Sequence, residues 1–360
     1  MIEHSLLDPS TLSTDAQRAL GSPAGKMMAA RGMAPLANPI DLLSVIYQLC
    51  IDADAKISSS AAATATSLPA NILSSGVGDA ATDPRVIDYF SKHADCRAEL
   101  VDVIVLNQSS ADATIARLAA NATQKQVDLI AENEQRILRH PDIIAALYNN
   151  TKARMSTVDR VVELAVRNEV KVSGIAAWDE VSRAVLQTAE EPRMAAEEMD
   201  AIFENAAEGA EEDDAVPVQA EAQEVAIRDL PIAMKIRLAM VGNKSQRSQL
   251  IRDPKKMVAL AVIKSPSVKE NEAAKYAINT AICEDVIAYI ASRKEWTKNV
   301  QIKFSLVSNP KCPLPAAMRL LPHLRTKDIG TIARSRGISS ALSSQAKKLK
   351  AARSGGGSKK

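Results

Sequence analysis

The sequence predicts an all-α protein built from repeated helical units, and three observations support this fold class. Apolar residues make up 46% of the chain but aromatic residues only 3%, a composition that suits closely packed helices better than β-sheets. The chain has 13 glycines, few for an all-β protein. Apolar residues also recur at helical spacing, as in Val286, Ile287 and Ile290, so single helices have one apolar face.

A repeated segment between residues 261 and 349 predicts the unit of the fold. Ser265-Pro266 matches Asn309-Pro310 at an offset of 44 residues, and the segment beginning at Asp285 matches the one beginning at Asp328 at an offset of 43. A period of roughly 40–47 residues is typical of two-helix repeats of the HEAT or armadillo kind. Because one helix pair cannot bury its apolar face alone, such repeats stack. We therefore predict a HEAT-like α-solenoid in two helical-repeat domains.

The first predicted repeat domain is acidic and covers residues 36–188. Within it, the segment around Asn107 matches the segment around Asn149 at an offset near 42 residues. Thr123 and Gln126 have the spacing of a capping box, which begins a helix by bonding its free N–H groups. The predicted helices are Ile40–Ile51, Lys56–Thr66, Pro69–Leu73, one from Pro84, Asp112–Ala120, one after Thr123, Asp142–Tyr148, Ser156–Arg167 and Ile175–Thr188.

Three segments are predicted to lie outside the repeats. Residues 1–35 are expected to form a flexible arm, because glycines interrupt any long helix there. Residues 189–230 form a predicted disordered acidic linker: positions 190–224 carry thirteen acidic side chains and one basic residue, Arg193. Within this linker, Met194–Phe203 contains good helix formers. The Gly- and Ser-rich tail 354–360 is expected to be flexible.

The second predicted repeat domain is basic and covers residues 231–353. Ser267 and Glu270 have the spacing of another capping box. The predicted helices outside the two matched copies and in the second copy are Pro231–Met240, Asn243–Leu250, Pro254–Ile263, Pro313–Leu321, Lys327–Arg336 and Ser339–Ala352.

The sequence resembles bacterial proteins with HEAT-like or leucine-rich-repeat-variant helical repeats, most of which have no assigned function. The resemblance rests on Leu306–Pro315 and Leu321–Asp328, and it is echoed at Arg139–Asp142. It extends over residues 38–188 and 231–352, although the proline of the motif is missing after Asn107. It implies an α-solenoid with a binding surface, and it supplies no catalytic residues.

No arrangement of side chains in the sequence points to catalysis, to a metal or to a cofactor. The four cysteines form no CxxC pair, and no two of the four histidines are three or four residues apart. Phosphate-binding, dinucleotide-binding and nucleophile-elbow motifs are absent from the sequence. We therefore predict a protein that is not an enzyme and has no small-molecule substrate. The sequence has no signal-peptide pattern and no apolar run of ~18 residues, so a cytoplasmic location without a membrane span is expected.

Charge divides sharply between the two halves of the chain. Residues 231–360 contain 26 Lys and Arg against 7 Asp and Glu, whereas residues 1–230 contain 19 against 36. Basic residues at equivalent repeat positions should align along one edge of a stack, where they could bind an anion or a nucleic-acid backbone. The candidate residues are Lys235, Arg237, Lys244, Arg247, Arg252, Lys255, Lys256, Arg293, Lys294, Lys298, Arg325, Lys327, Arg334 and Arg336.

Two functions fit these features. The first is a scaffold or adaptor that binds a protein partner through the repeat surface. The alternative is a nucleic-acid-binding protein that uses the basic domain, since basic surfaces bind both acidic proteins and nucleic acids. In the second case the acidic linker could fold back over the basic domain and mask it, because a tether raises the effective concentration of the opposite charge.

Overall fold

A computed structural model describes residues 2–92, 98–188, 195–208, 227–228, 230–335 and 337–355. Its regular secondary structure in these ranges is entirely helical, which confirms the all-α prediction. No helix in the described ranges combines the length and the apolar character that crossing a membrane requires.

Residues 1–174 form one compact unit. Each helix packs mainly on helices one to three positions away along the chain, as α3 does on α4, α5 and α6. The described helices of this unit are α1 (Thr14–Leu20), α2 (Pro23–Ala30), α3 (Pro39–Cys50), α4 (Ala55–Ser67), α5 (Ala70–Gly78), α6 (Pro84–Ser91), α7 (Ala98–Leu106), α8 (Asp112–Ala119), α9 (Gln124–Ala131), α10 (Glu134–Arg139), α11 (Asp142–Asn149) and α12 (Met155–Arg167).

Residues 175–360 form the second compact unit. Its described helices are α13 (Trp178–Thr188), α14 (Ala196–Glu208), α15 (Ile232–Val241), α16 (Lys244–Leu250), α17 (Lys256–Lys264), α18 (Glu270–Ile278), α19 (Glu284–Ser292), α20 (Val300–Ser308), α21 (Leu314–Leu320), α22 (Thr326–Ile332) and α23 (Ser340–Gly355). The boundary between the units falls after Gly174, whereas we predicted the first domain to end at residue 188. Helix α13 belongs to the second unit because it packs on α15 and α17, where Glu180 accepts two hydrogen bonds of 3.0 Å from Lys264.

The repeat period is shorter than predicted. Between Ser265 and Asn309 lie three helices, α18, α19 and α20, so an interval of 44 residues does not correspond to two helices. Helices two positions apart begin 28 to 30 residues apart, as α17 (residue 256) and α19 (residue 284) do, or α18 (residue 270) and α20 (residue 300). Both of these pairs pack directly. The two-helix unit is therefore about 30 residues long, and the matched sequence copies are separated by three helices.

The matched boundary residues have a structural role that explains why they recur. Asn309 directly follows α20, and its side-chain Nδ2 donates hydrogen bonds to the carbonyl oxygens of Ala277 (2.8 Å) and Asn279 (3.4 Å) at the end of α18. Its Oδ1 accepts a hydrogen bond from the Lys311 N–H at 3.0 Å. The last carbonyls of a helix have no partner within the helix, so this side chain satisfies groups that would otherwise be unpaired.

We call this arrangement a carbonyl clamp, and it occurs in both units. Each clamp joins the ends of two helices that pack on each other and spans 25 to 32 residues of sequence. The other clamps are Asn107 to Val77 (2.7 Å) and Asp79 (2.9 Å), Asn150 to Ala119 and Ala122 (both 2.9 Å), and the Ser265 hydroxyl to Met240 (3.2 Å). The clamp equivalent to Asn107 is thus Asn150, and the predicted match with Asn149 was wrong by one residue.

The first 35 residues are not the flexible arm that we predicted. They contain α1 and α2, which pack on α3 and α4. Proline occupies the first position of α2, and Ser22 caps the helix by accepting a hydrogen bond from the Gly25 N–H. Ala16, Ala29 and Ala30 are fully or almost fully buried. The small residues that suggested a flexible segment therefore permit close helix packing instead.

Part of the predicted disordered linker is helical. Helix α14 lies within residues 189–230, and Phe203 on its apolar face is only 5% exposed. Burial of this aromatic ring supplies packing free energy that composition alone did not suggest. The predictions for residues 189–194 and 209–226, and for the tail beyond residue 355, lie outside the described residues.

Candidate functional site

Two of the predicted anion-binding residues are buried in helix α15. Lys235 Nζ lies 2.8 Å from Asp253 Oδ2, and both side chains are less than 10% exposed. Arg237 is completely buried, with its guanidinium carbon 4.7 Å from the centre of the Phe203 ring. A cation over an aromatic face is attracted by the negative charge of the ring face. These two residues therefore stabilise the fold, and their assignment to an external anion site was wrong.

Arg247 is also buried and therefore was wrongly assigned to the surface. Its Nε and Nη2 donate to the two carboxylate oxygens of Glu272 at 3.1 and 2.9 Å, and its Nη1 donates to the carbonyl oxygen of Gly242 at 2.8 Å. A guanidinium paired in this bidentate way satisfies the carboxylate and helps to offset the cost of burying it.

The sequence contained a signal for the burial of Lys235 and Arg237. They alternate with apolar residues in the segment from Met234 to Met240, and every residue of that segment is buried. A helix that is apolar on all sides is enclosed by protein, and charged residues within it need partners in the core. A net count of basic residues could not separate these positions from surface positions.

The other candidates lie on the surface of the second unit, apart from Arg336, which is outside the described residues. The exposed candidates are Lys244, Arg252, Lys255, Lys256, Arg293, Lys294, Lys298, Arg325, Lys327 and Arg334. Lys256 already pairs with Asp285 at 3.1 Å, and this hydrogen bond raises the pKa of the Lys256 ammonium group. The predicted alignment of Arg293 with Arg336 also falls outside the described residues.

Three of the exposed cations are brought together with two aromatic rings in the turn that follows α19. We call residues 289–298 the aromatic–basic turn. Tyr289 and Trp296 are both half-buried, and their rings meet edge-on with 6.2 Å between centres. The Arg293 guanidinium carbon lies 5.0 Å from the Tyr289 ring centre, and Arg293 donates hydrogen bonds to the Tyr289 hydroxyl. Lys294 and Lys298 are exposed in the same turn.

The geometry of this turn leaves its positive charges available to an external partner. Within the described ranges, Arg293, Lys294 and Lys298 form no ion pair. Sequence reasoning had assigned Trp296 to the core and had not considered Tyr289. Tyr289 and Arg293 are four residues apart on a helix, a spacing that places two side chains on one face and was visible in the sequence.

The described residues hold no group of three His, Cys, Asp or Glu side chains positioned to bind a metal ion. Comparison of the chain with protein-family models, with curated proteins and with solved structures finds no match. The resemblance to HEAT-like repeat proteins therefore stays a prediction.

Proposed function

We propose that the chain is a non-enzymatic scaffold of the α-solenoid type, which binds a protein partner through the surface of its stacked helices. The observation that carries this proposal is the recurrence of carbonyl clamps between helices two or three positions apart. Such regular stacking produces a continuous surface whose exposed residues can vary without loss of the stack. The repeat of about 30 residues makes this a compact variant of the HEAT-like pattern.

The test is affinity purification of the tagged full chain from native lysate, with and without nuclease treatment. We expect a protein that co-purifies in stoichiometric amount and persists after nuclease treatment. A partner that disappears with the nuclease would refute a direct protein interaction and support the second candidate function.

The second candidate is a nucleic-acid-binding protein, and the aromatic–basic turn favours it. Aromatic rings beside lysine and arginine are the combination that binds single strands, because bases stack on the rings while cations contact phosphates. A labelled single-stranded RNA and a labelled DNA duplex should be titrated with the full chain by fluorescence anisotropy over a salt series. Micromolar binding with a steep salt dependence supports this function, and no binding at low salt contradicts it.

Two sets of substitutions separate the turn from general charge attraction. We expect the double variant Arg293→Gln/Lys298→Gln to bind single-stranded RNA more weakly and to lower the salt slope by about 1 to 2, because each lost phosphate contact removes about 0.7 to 0.9 from it. The charge-matched control Lys269→Gln/Lys275→Gln changes two exposed lysines outside the turn. Equal effects of the two variants would exclude the turn as the contact site.

The acidic segment is held on the basic unit by Phe203, which supports masking as part of this second candidate. Glu197, Glu198 and Glu204 of α14 are exposed while Phe203 packs on Arg237. If the segment shields the basic surface, deletion of residues 190–224 should strengthen binding to RNA. Unchanged affinity after the deletion would refute masking.

A further inference from the structure

We propose that the face formed by α3 and α6 in the first unit is a groove for a non-helical peptide, and that residues 2–7 of the chain are its intrachain occupant. The partner is a protein segment with an imidazole at one position and an aliphatic side chain three positions later. This inference rests on the proposed function as a protein-binding scaffold, and it names a site and a class of partner for that function.

The segment 2–7 is bound largely through its main chain, by side chains that come from the two helices. Such contacts recognise a peptide backbone whatever its side chains are, as groove-type peptide-binding domains do. The bonds run from the Tyr47 hydroxyl to the Ser5 carbonyl oxygen (2.9 Å), from Arg85 Nη1 to the Leu6 carbonyl oxygen (3.1 Å), and from the Leu7 N–H to Gln48 Oε1 (2.9 Å).

His4 occupies a cage of specific chemistry at one end of this groove. Its ring centre lies 5.9 Å from that of Tyr47 and 6.0 Å from that of Tyr89, and the two tyrosine rings are 5.6 Å apart. Its Nε2 lies 3.0 Å from Asp88 Oδ2 and 2.9 Å from Lys92 Nζ. Aromatic faces beside a carboxylate favour a ring that can donate a hydrogen bond or carry positive charge.

Asp88 makes the cage selective, because its carboxylate is buried. The Asp88 side chain is 8% exposed, and its Oδ1 accepts a hydrogen bond from the Thr114 hydroxyl at 2.7 Å. Its Oδ2 faces His4, with Lys92 Nζ farther away at 3.9 Å. A buried oxygen that loses its donor is costly, so a peptide that displaces His4 must bring a donor to the same place.

The exposure pattern of the segment defines the recognition sequence. Leu7 is 3% exposed, whereas Leu6 is 64% exposed and Glu3 is also on the surface. The groove therefore reads the side chains of His4 and Leu7 and leaves those at positions 3 and 6 in solvent. The corresponding pattern in a partner is His-x-x-Leu, with either the imidazole or another hydrogen-bond-donating ring in the cage.

An intrachain occupant should compete with an added peptide in a calculable way. Flexible tethers give effective concentrations on the order of millimolar. If the isolated segment binds at about 10 to 100 µM, the intrachain copy fills the groove in roughly 90 to 99% of molecules, and an added peptide binds about 10- to 100-fold more weakly. Removal of the intrachain copy should recover this factor.

The experiment uses a fluorescein-labelled synthetic peptide that covers residues 2–10. It is titrated by anisotropy against the wild-type chain, against a chain lacking residues 1–7, and against the full-length double variant His4→Ala/Leu7→Ala. We expect both altered chains to bind at least tenfold more tightly than wild type. Peptides with Ala at the His4 or Leu7 position should lose binding, and Ala at the Glu3 or Leu6 position should not.

The double variant Glu3→Ala/Leu6→Ala is the matched control, since it changes the exposed residues of the same segment and should leave the peptide affinity at the wild-type value. Absence of peptide binding to both opened chains, with circular dichroism unchanged, would overturn the proposal and would leave the nuclease-resistant partner test untouched. A wild-type dimer in light scattering that dissociates in His4→Ala/Leu7→Ala would also overturn it, because the segment would then be exchanged between two copies.

Discussion

Asn309 Nδ2 donates a 2.8 Å hydrogen bond to the carbonyl oxygen of Ala277, which lies 32 residues earlier at the end of α18. Asn309 is 4% exposed, so the bond is protected from water. The bond fixes the end of one helix against the end of the helix on which it packs. We regard such clamps as the main directional contacts between successive repeats, because apolar packing alone is non-directional.

Replacement of the clamp residue should measure its contribution. We expect Asn309→Ala to lower the free energy of unfolding of the second unit by about 1 to 3 kcal/mol, because the carbonyl oxygens of Ala277 and Asn279 stay buried without this donor. Urea denaturation followed by circular dichroism gives the value. Asn279→Ala is the control, since the Asn279 side chain accepts only a local bond from Ala281, and it should cost clearly less. Equal losses would show that the reach across helices contributes nothing.

The buried pair of Arg247 and Glu272 should be far more sensitive to loss of one partner than of both. Glu272→Gln leaves the buried guanidinium without its counter-charge, and we expect a destabilisation of about 3 to 5 kcal/mol. The double variant Arg247→Met/Glu272→Leu removes both charges and should cost less than the sum of the single variants. A double-mutant cycle by urea denaturation measures the coupling, and additive effects would contradict a specific pair.

Two buried helical glycines should respond oppositely to alanine. A Cβ at Gly76 would overlap the side chain of Leu43, which is fully buried and cannot move aside, so Gly76→Ala should destabilise the first unit by about 1 to 3 kcal/mol. At Gly330 the nearest atoms to a Cβ are 3.7 Å away, an ordinary contact. Gly330→Ala should therefore stabilise the second unit by about 0.5 to 1 kcal/mol, since alanine favours the helix. Thermal and urea unfolding of both variants test this contrast, and a shift of the same sign in both would refute it.

Cys312 should react slowly with alkylating reagents. Burial disfavours its thiolate and raises its pKa to about 11, so at pH 8 nearly all of it is the unreactive thiol. We expect iodoacetamide to modify Cys312 roughly tenfold or more slowly in the folded chain than in urea, as measured by peptide mass spectrometry. The folded-state rate should continue to rise between pH 9 and 10.5. A plateau below pH 9.5 would show an ordinary thiol.

Several local features followed from the sequence because they depend on neighbouring residues only. The helical class follows from periodicity, and Thr123 with Gln126 forms the predicted capping box. The box predicted at Ser267 and Glu270 was wrong, because α18 begins at Glu270 with Lys269 as its N-cap residue. There the Ser267 N–H donates to the Ser265 hydroxyl, so the clamp residue takes the turn that the box would have used.

The sequence by itself determined that the chain is all-α, that short helices follow one another at regular intervals, and that positive charge collects in the later half. Only the tertiary structure decided which boundary residues are equivalent, because Asn107 and Asn150 are identified by the distant carbonyls that they bind. It also decided that Lys235, Arg237 and Arg247 lie in the core while Arg293 and Lys298 face solvent. Burial depends on partners such as Glu272, Asp253 and Phe203, which come from other helices, and a charge along the chain does not encode which of them it meets.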